Sequence, residues 1–297
     1  MNSLHFGHSV IISSMQRLPT PYATGWIQHK TAILVLLLTL FGLTTEVIAD
    51  QCPRIISQSP YITKSLQWLG LEPCIVGVSR YDTLDRPHTG GVYDPDGKVI
   101  ESLRPELIFT SNWTKPETLK AVTPEKAGAF RLRGFKSMAQ IEENLRVIGN
   151  ETGIGDIEER IEAFHQQWKT AAKEINGAGK KVLLLSSCSG TPYSFGKERW
   201  LSELFTQAGF EVVETAEKIR HIKPGEAITT INTLINELGP ELLFIFERTK
   251  QPQCALIMPK NPLQIINLDG DKFLHPAPVL FDGLTELKQR QKEWGHP

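Results

Sequence analysis

The stretch "VIESLRPELIFTSNW" at 99–113 returns, barely altered, as "LINELGPELLFIFER" at 234–248. A shift of 135 residues (235 minus 100) superposes Ile100, Leu103, Pro105, Glu106, Leu107 and Phe109 on Ile235, Leu238, Pro240, Glu241, Leu242 and Phe244. In each copy the apolar residues first fall at helical spacing. Proline then stops the helix, because it lacks an amide donor and its ring clashes with the preceding turn. A short apolar run follows, of the kind buried on both faces of a parallel sheet. The neighbourhoods agree as well. "RIIS", a helix through "SLQWLG" and "CIVGVS" parallel "KVLLLSS", a helix through "WLSELFTQAG" and "FEVVET". Two matched stretches in one order point to internal duplication, with convergence of common strand–helix phrases as the alternative. The fold class expected is α/β: two Rossmann-like lobes, each a central parallel sheet covered by helices.

Between the halves, Ile154, Ile157, Ile161, Phe164, Trp168, Ala171 and Ile175 step by three and four. That periodicity predicts one amphipathic helix of about six turns, closed by Gly177 and Gly179. The expected organisation is an N-terminal lobe over 50–151, a connector helix over 152–177 and a C-terminal lobe over 178–297. A stiff connector would allow the lobes small rocking motions around a cleft.

Residues 1–49 are a different material. His29 and Lys30 precede an apolar run from Ala32 to Leu43, and Val47 and Ala49 stand where a signal peptidase takes small residues. The run is shorter than the roughly 18 to 20 residues of a membrane span, so a cleaved export signal and a mature periplasmic protein are expected. The segment before it is long for a signal, which makes Met15 a candidate start. Asp50 and Gln51, next to Cys52, do not suit a lipid anchor.

Export permits disulfides. Cys52 precedes "RIIS" and Cys74 precedes "IVGV". If these runs are neighbouring parallel strands about 4.8 Å apart, both cysteines lie at one end of the sheet near bonding distance. A Cys52–Cys74 bridge is the expectation, against two separate small buried residues. Cys188 and Cys254 are a further candidate pair. The formal net charge of -1 gives no reason to expect nucleic acid as a partner.

With these elements in place, the sequence resembles the substrate-binding proteins of ABC importers for metal chelates, the cobalamin, haem and ferric-siderophore group. The resemblance is carried by "RIISQSPYITKSLQWLGL", "IVGVSRYD", "TGGVYDPDGKVIESLRPELIF", "FKSMAQIEENLRVIGNETG" and the final "VLFDGLTEL", in that order. It implies two lobes joined by one long helix, with a chelate held between them and delivered to a membrane permease and its ATPase. It implies no catalysis, no catalytic residue, no cofactor, no protein-held metal and a monomer.

Ligands bind α/β sheets at the carboxyl ends of strands, so the residues after each apolar run are the candidates. In the first half these are Arg80 and Tyr81, then Val92, Tyr93 and Asp94, then Asn112 and Trp113. In the second they are Cys188, then Tyr193 and Phe195 in the loop beyond it, then Glu247 and Arg248. Flat aromatic faces suit a corrin, porphyrin or catecholate. Tyr81 matches a ligand tyrosine of the cobalamin binders and Tyr93 lies at or next to a ligand tryptophan. The arginines suit anionic groups on a ligand, although Arg248 reads better as a solvated surface charge. Trp200, with Trp113, is expected to report on ligand. Family members dock on the permease through a glutamate at the position that is Lys98 here. Asp96 and Glu101 flank it, and Glu226 is the candidate in the second lobe.

Two other readings compete. Cys188 in "SSCSG" is a possible nucleophile, but His221 and His275 form no local motif with it. Bare zinc or manganese would need His88, His221 or His275 to converge, since all the histidines, including His165 and His296, are isolated in sequence. His165 reads as solvated. A scaffold that kept the fold without a permease is a third possibility, raised by Lys98.

Overall fold

Short apolar runs become the strands of a first sheet. The computed structural model describes residues 52–188, 191–248 and 263–295; the expected export segment, Cys254 and His296 lie outside the described residues. The first lobe runs β1 (Ile55–Ser57), α1 (Pro60–Trp68), β2 (Ile75–Val78), α2 (Gly97–Ser102), β3 (Leu107–Ser111), α3 (Pro116–Val122) and β4 (Gly128–Leu132). Its strands are all parallel, in the order β2-β1-β3-β4. The central strands β1 and β3 are buried at every position, as strands covered on both faces are, with Ser57, Thr110 and Ser111 buried at their carboxyl ends.

Two helices follow, α4 (Met138–Glu151) and α5 (Ile157–Lys173). The 17 residues of α5 make a rod of about 25 Å, shorter than the expected 152–177. Gly153, at φ 75°, sits in the turn that separates it from α4. Ile157, Ile161, Phe164, Trp168 and Ala172 form its buried stripe. Phe164 touches both sides of the molecule, with Trp68 of α1 at 5.7 Å and Phe281 near the C-terminus at 5.4 Å between ring centroids. His165 is not merely solvated: its Nδ1 lies 2.8 Å from Glu142 on α4, which also accepts from the Trp168 indole.

The second lobe contains β5 (Lys181–Cys188), β6 (Thr191–Ser194), α6 (Trp200–Gln207), β7 (Glu211–Val212), β8 (Arg220–His221), α7 (Ile231–Leu238), β9 (Leu242–Glu247), β10 (Gln264–Asp269), α8 (Gly270–Phe273) and α9 (Leu280–Gln289). Its sheet has the order β10-β9-β5-β6-β8. β5, β9 and β10 are parallel, but β6 runs antiparallel to both β5 and β8, so this sheet is mixed where a parallel one was expected. β7 pairs with the first two residues of β5, and β6 takes over the same edge from Leu185 onward. A buried carboxylate holds that edge together. Glu214 accepts from Arg220 at 2.7 Å, from the Ala216 amide at 2.8 Å and from the Ser194 hydroxyl.

The repeated phrase folds the same way twice. Its helices are α2 and α7, and its strands are β3 and β9. Each helix ends on a left-handed residue, Arg104 at φ 47° and Gly239 at φ 58°. The glutamate after each proline then grips the neighbouring strand's entry. Glu106 accepts from the Arg54 amide at 2.8 Å and its own amide donates to the Arg54 carbonyl. Glu241 does the same with Lys181, at 2.9 and 2.8 Å. The bonds from Lys181 and Lys180 hold the Glu241 carboxyl below its ordinary pKa. The helix before β9 starts at Ile231, where the Thr230 hydroxyl caps it by accepting from the Thr233 amide at 3.1 Å.

Cys52 and Cys74 are joined in a disulfide, with Cα atoms 5.8 Å apart. They stand just before β1 and β2, at the amino ends of two paired strands. Among the described residues no helix is long and apolar enough to cross a membrane.

Candidate functional site

The carboxyl ends of the two sheets face one another across the seam between the lobes. Three observations establish this. Phe135, just beyond β4, lies 5.8 Å from Trp200 at the start of α6. The Met138 amide at the start of α4 donates to Glu203 of α6 at 2.8 Å, and Arg199 donates to the Phe135 carbonyl at 3.0 Å. Gly134 also adjoins the second lobe, since a Cβ there would stand in ordinary contact with Pro276 at 3.5 Å.

Three large aromatic side chains are exposed among the described residues: Tyr81 at 57%, Tyr93 at 71% and Trp113 at 49%. All three follow strands or loops at the carboxyl end of the first sheet. Exposed large apolar surface is the informative kind, since water does not favour it.

Tyr81 and Tyr93 belong to one loop. Gly90, at φ 86°, makes the sharp turn that brings its two arms together, and a Cβ there would lie 2.5 Å from the Asp94 carbonyl. The Arg80 amide donates to the Gly90 carbonyl at 2.8 Å. The Arg80 guanidinium reaches Asp94 at 2.6 Å and lies 6.0 Å from the Tyr81 ring. Arg80 is therefore already paired, and an anionic ligand would compete with Asp94 for it. That pair is half exposed and so contributes little, on the order of 1 kcal/mol or less. Val92 is buried beneath the loop.

Trp113 is set by stacking. Its ring lies 4.7 Å from Phe135 with 12° between planes. Phe135 in turn meets Tyr61 and Trp200 edge-on, Trp200 meets Phe195, and Phe195 meets Tyr193. A ladder of rings thus crosses the seam, emerging at Trp113 in the first lobe and at half-buried Tyr193 in the second. Phe195 is 1% exposed, so it is a core rung and not a ligand contact. The cause is the strand: Tyr193 and Phe195 lie in and just beyond β6, where alternate residues share a face, and not in a loop. Trp200 is likewise buried, its indole donating to the Phe273 carbonyl at 3.2 Å.

Beyond β9, Arg248 is not a solvated surface charge. Its guanidinium lies 3.3 Å from Asp271 and 2.8 Å from Nε2 of His275. Arginine only donates, so Nε2 accepts and the ring proton sits on Nδ1. His275 is buried, and desolvation, then the charges of Arg248 and of Lys64 on α1, push its pKa down to about 3. Lys64 belongs to the first lobe, so this cluster also lies on the seam. Sequence reasoning missed its pairing because 27 residues separate Arg248 from His275.

Cys188 ends β5, beside the same end of the sheet. Asp96 is spent as the N-cap of α2, accepting from the Lys98 and Val99 amides at 3.0 and 3.1 Å, while Glu101 is exposed on that helix. Glu226 is exposed in the loop before α7, near Lys223, and not on the helix. His88 and His221 are exposed, and among the described residues no three His, Cys, Asp or Glu side chains converge as a metal site would require.

This geometry defines a two-lobed α/β fold, and the solved structures agree. The chain has the fold of a periplasmic heme-binding protein from Pseudomonas aeruginosa, at 19% identity over 83% of this chain and 95% of that one, with a TM-score of 0.63. It is similar to a periplasmic heme-binding protein from Roseiflexus sp. RS-1, at 19% identity, 82% and 98% coverage and a TM-score of 0.63. It is also similar to a periplasmic vitamin B12-binding protein of Vibrio cholerae, at 17% identity, 82% and 98% coverage and a TM-score of 0.60. No protein-family model matches the sequence, and no curated protein does.

Proposed function

We propose that this chain is an exported, non-enzymatic binding protein that captures a haem-, cobalamin- or siderophore-type chelate between its lobes and hands it to an ABC permease. One observation carries the reading: the exposed large aromatic residues Tyr81, Tyr93 and Trp113 gather at the carboxyl end of the first sheet, where that end meets the second lobe. Aromatic surface left in water at that place suits a broad flat ligand. The similar solved structures bind heme and vitamin B12, which supports the ligand class. Glu101 and Glu226 remain exposed for a permease contact, whereas Asp96 is committed to its helix.

The test is a fluorescence titration of residues 50–297 with hemin, cyanocobalamin and a ferric siderophore. Saturable quenching by one of them at micromolar concentration or below is expected. A flat response to all three overturns the reading.

A further inference from the structure

Trp113 offers one face to solvent and the other to Phe135, and the second contact decides how rigidly the first is presented. The two rings are stacked and nearly parallel, 4.7 Å apart. Phe135 is gripped from three directions: Tyr61 of the first lobe at 5.2 Å, Trp200 of the second lobe at 5.8 Å, and Arg199, which bonds its carbonyl. Tyr61 is itself tied through its hydroxyl to the Leu132 carbonyl at 3.0 Å. An exposed indole on a loop ordinarily samples several rotamers, and fixing one costs entropy on binding. Here that cost is met in advance by the half-buried ring packed behind it.

We propose that Phe135 is the positioning residue of the ligand platform: it presets the Trp113 indole as a flat stacking face and couples that face to the second lobe through Trp200. This rests on the chelate-binding reading for the identity of the ligand, but the preset itself is a property of the free protein. Trp200 is 2% exposed, and Phe135 is the ring that links it to Trp113.

The experiment uses protein labelled with 5-fluorotryptophan, with the Trp113 and Trp200 resonances assigned from Trp113→Phe and Trp200→Phe. In Phe135→Leu without ligand, the Trp113 and Trp200 signals shift and the Trp113 line changes width, while those of Trp168 and Trp294 stay in place. Hemin or cyanocobalamin, whichever binds, shifts Trp200 in the parent and not in Phe135→Leu. Affinity falls about threefold to tenfold, the scale of one lost aromatic pair. Phe135→Tyr restores the parent behaviour, which separates positioning from simple loss of packing. An unmoved Trp113 signal in ligand-free Phe135→Leu overturns the proposal, as does an unchanged dissociation constant where hemin or cyanocobalamin binds. If neither binds, the chelate reading is in difficulty, and the ligand-free spectrum alone still decides the role of Phe135.

Discussion

His275 makes the stability of the seam depend on pH, with a sign that the structure fixes. In the unfolded chain the imidazole titrates near the ordinary 6.5. In the folded chain, burial and the neighbouring Arg248 and Lys64 hold it neutral down to about 3. Above about pH 6.5 both states are neutral and the group is indifferent. As the pH falls, the unfolded state takes a proton that the folded state refuses, so stability is lost progressively until the folded pKa is reached. Among the described residues, Asp271 is the carboxylate paired with it, 3.9 Å from Nε2, too far to reverse the effect of two cations and burial. Between about pH 7 and pH 4.5 the loss attributable to this one group is about 2 to 3 kcal/mol. The measurement is urea unfolding across that range for the parent and for His275→Gln, whose amide oxygen can still accept from Arg248. Carboxylates elsewhere contribute equally to both proteins, so the difference in slope isolates the histidine. The variant should lose about 2 to 3 kcal/mol less than the parent on acidification. Parallel pH profiles would refute the reasoning, since they would mean that His275 takes its proton in the folded state.

Other outcomes follow from particular contacts. Tyr81→Ala should weaken chelate binding by about 1 to 3 kcal/mol, the scale of a well-packed contact residue; an unchanged dissociation constant removes Tyr81 from the site. Reducing the Cys52–Cys74 bridge, whose ends are separated by 22 positions in sequence, should lower stability by about 3 kcal/mol, read as a shift in the urea midpoint with reductant. Glu214→Ala leaves Arg220 and Ser194 without their shared buried partner and should cost about 3 to 5 kcal/mol, measured the same way. Arg104→Gly should stabilise by about 0.5 to 1 kcal/mol, because glycine takes the left-handed turn without the side-chain clash; a loss of stability would mean that the arginine side chain contributes more than its backbone costs.

Much of the fold was legible because its determinants are local. The repeated phrase states its helix stop, its proline and its clamp glutamate within a few residues, and both copies fold accordingly. The cysteine pairing followed from strand adjacency alone. The antiparallel β6 was missed because "SSCSGTPYS" reads as a loop after a strand. The Ser-Gly pair followed by Tyr193 and Phe195 at alternating positions was the hairpin signal present there. The same oversight placed Phe195 among the ligand contacts. The length of α5 was overread because Ile154 and Ile175 keep the apolar period past both ends; both are packed against the core, yet lie outside the helix. At the site, the exposed aromatics were visible as residues after strands, whereas the setting of Arg248 was not. It depends on a histidine and an aspartate brought in from a later turn.

The disulfide stands at the amino ends of β1 and β2, and the aromatic residues stand at the opposite ends of the same sheet. Oxidation therefore fastens the base of the lobe and leaves its opposite rim, where Tyr81, Tyr93 and Trp113 are exposed, without a cross-link among the described residues. A cross-link at the base adds durability to the strand entries without constraining the exposed aromatic surface at the far end.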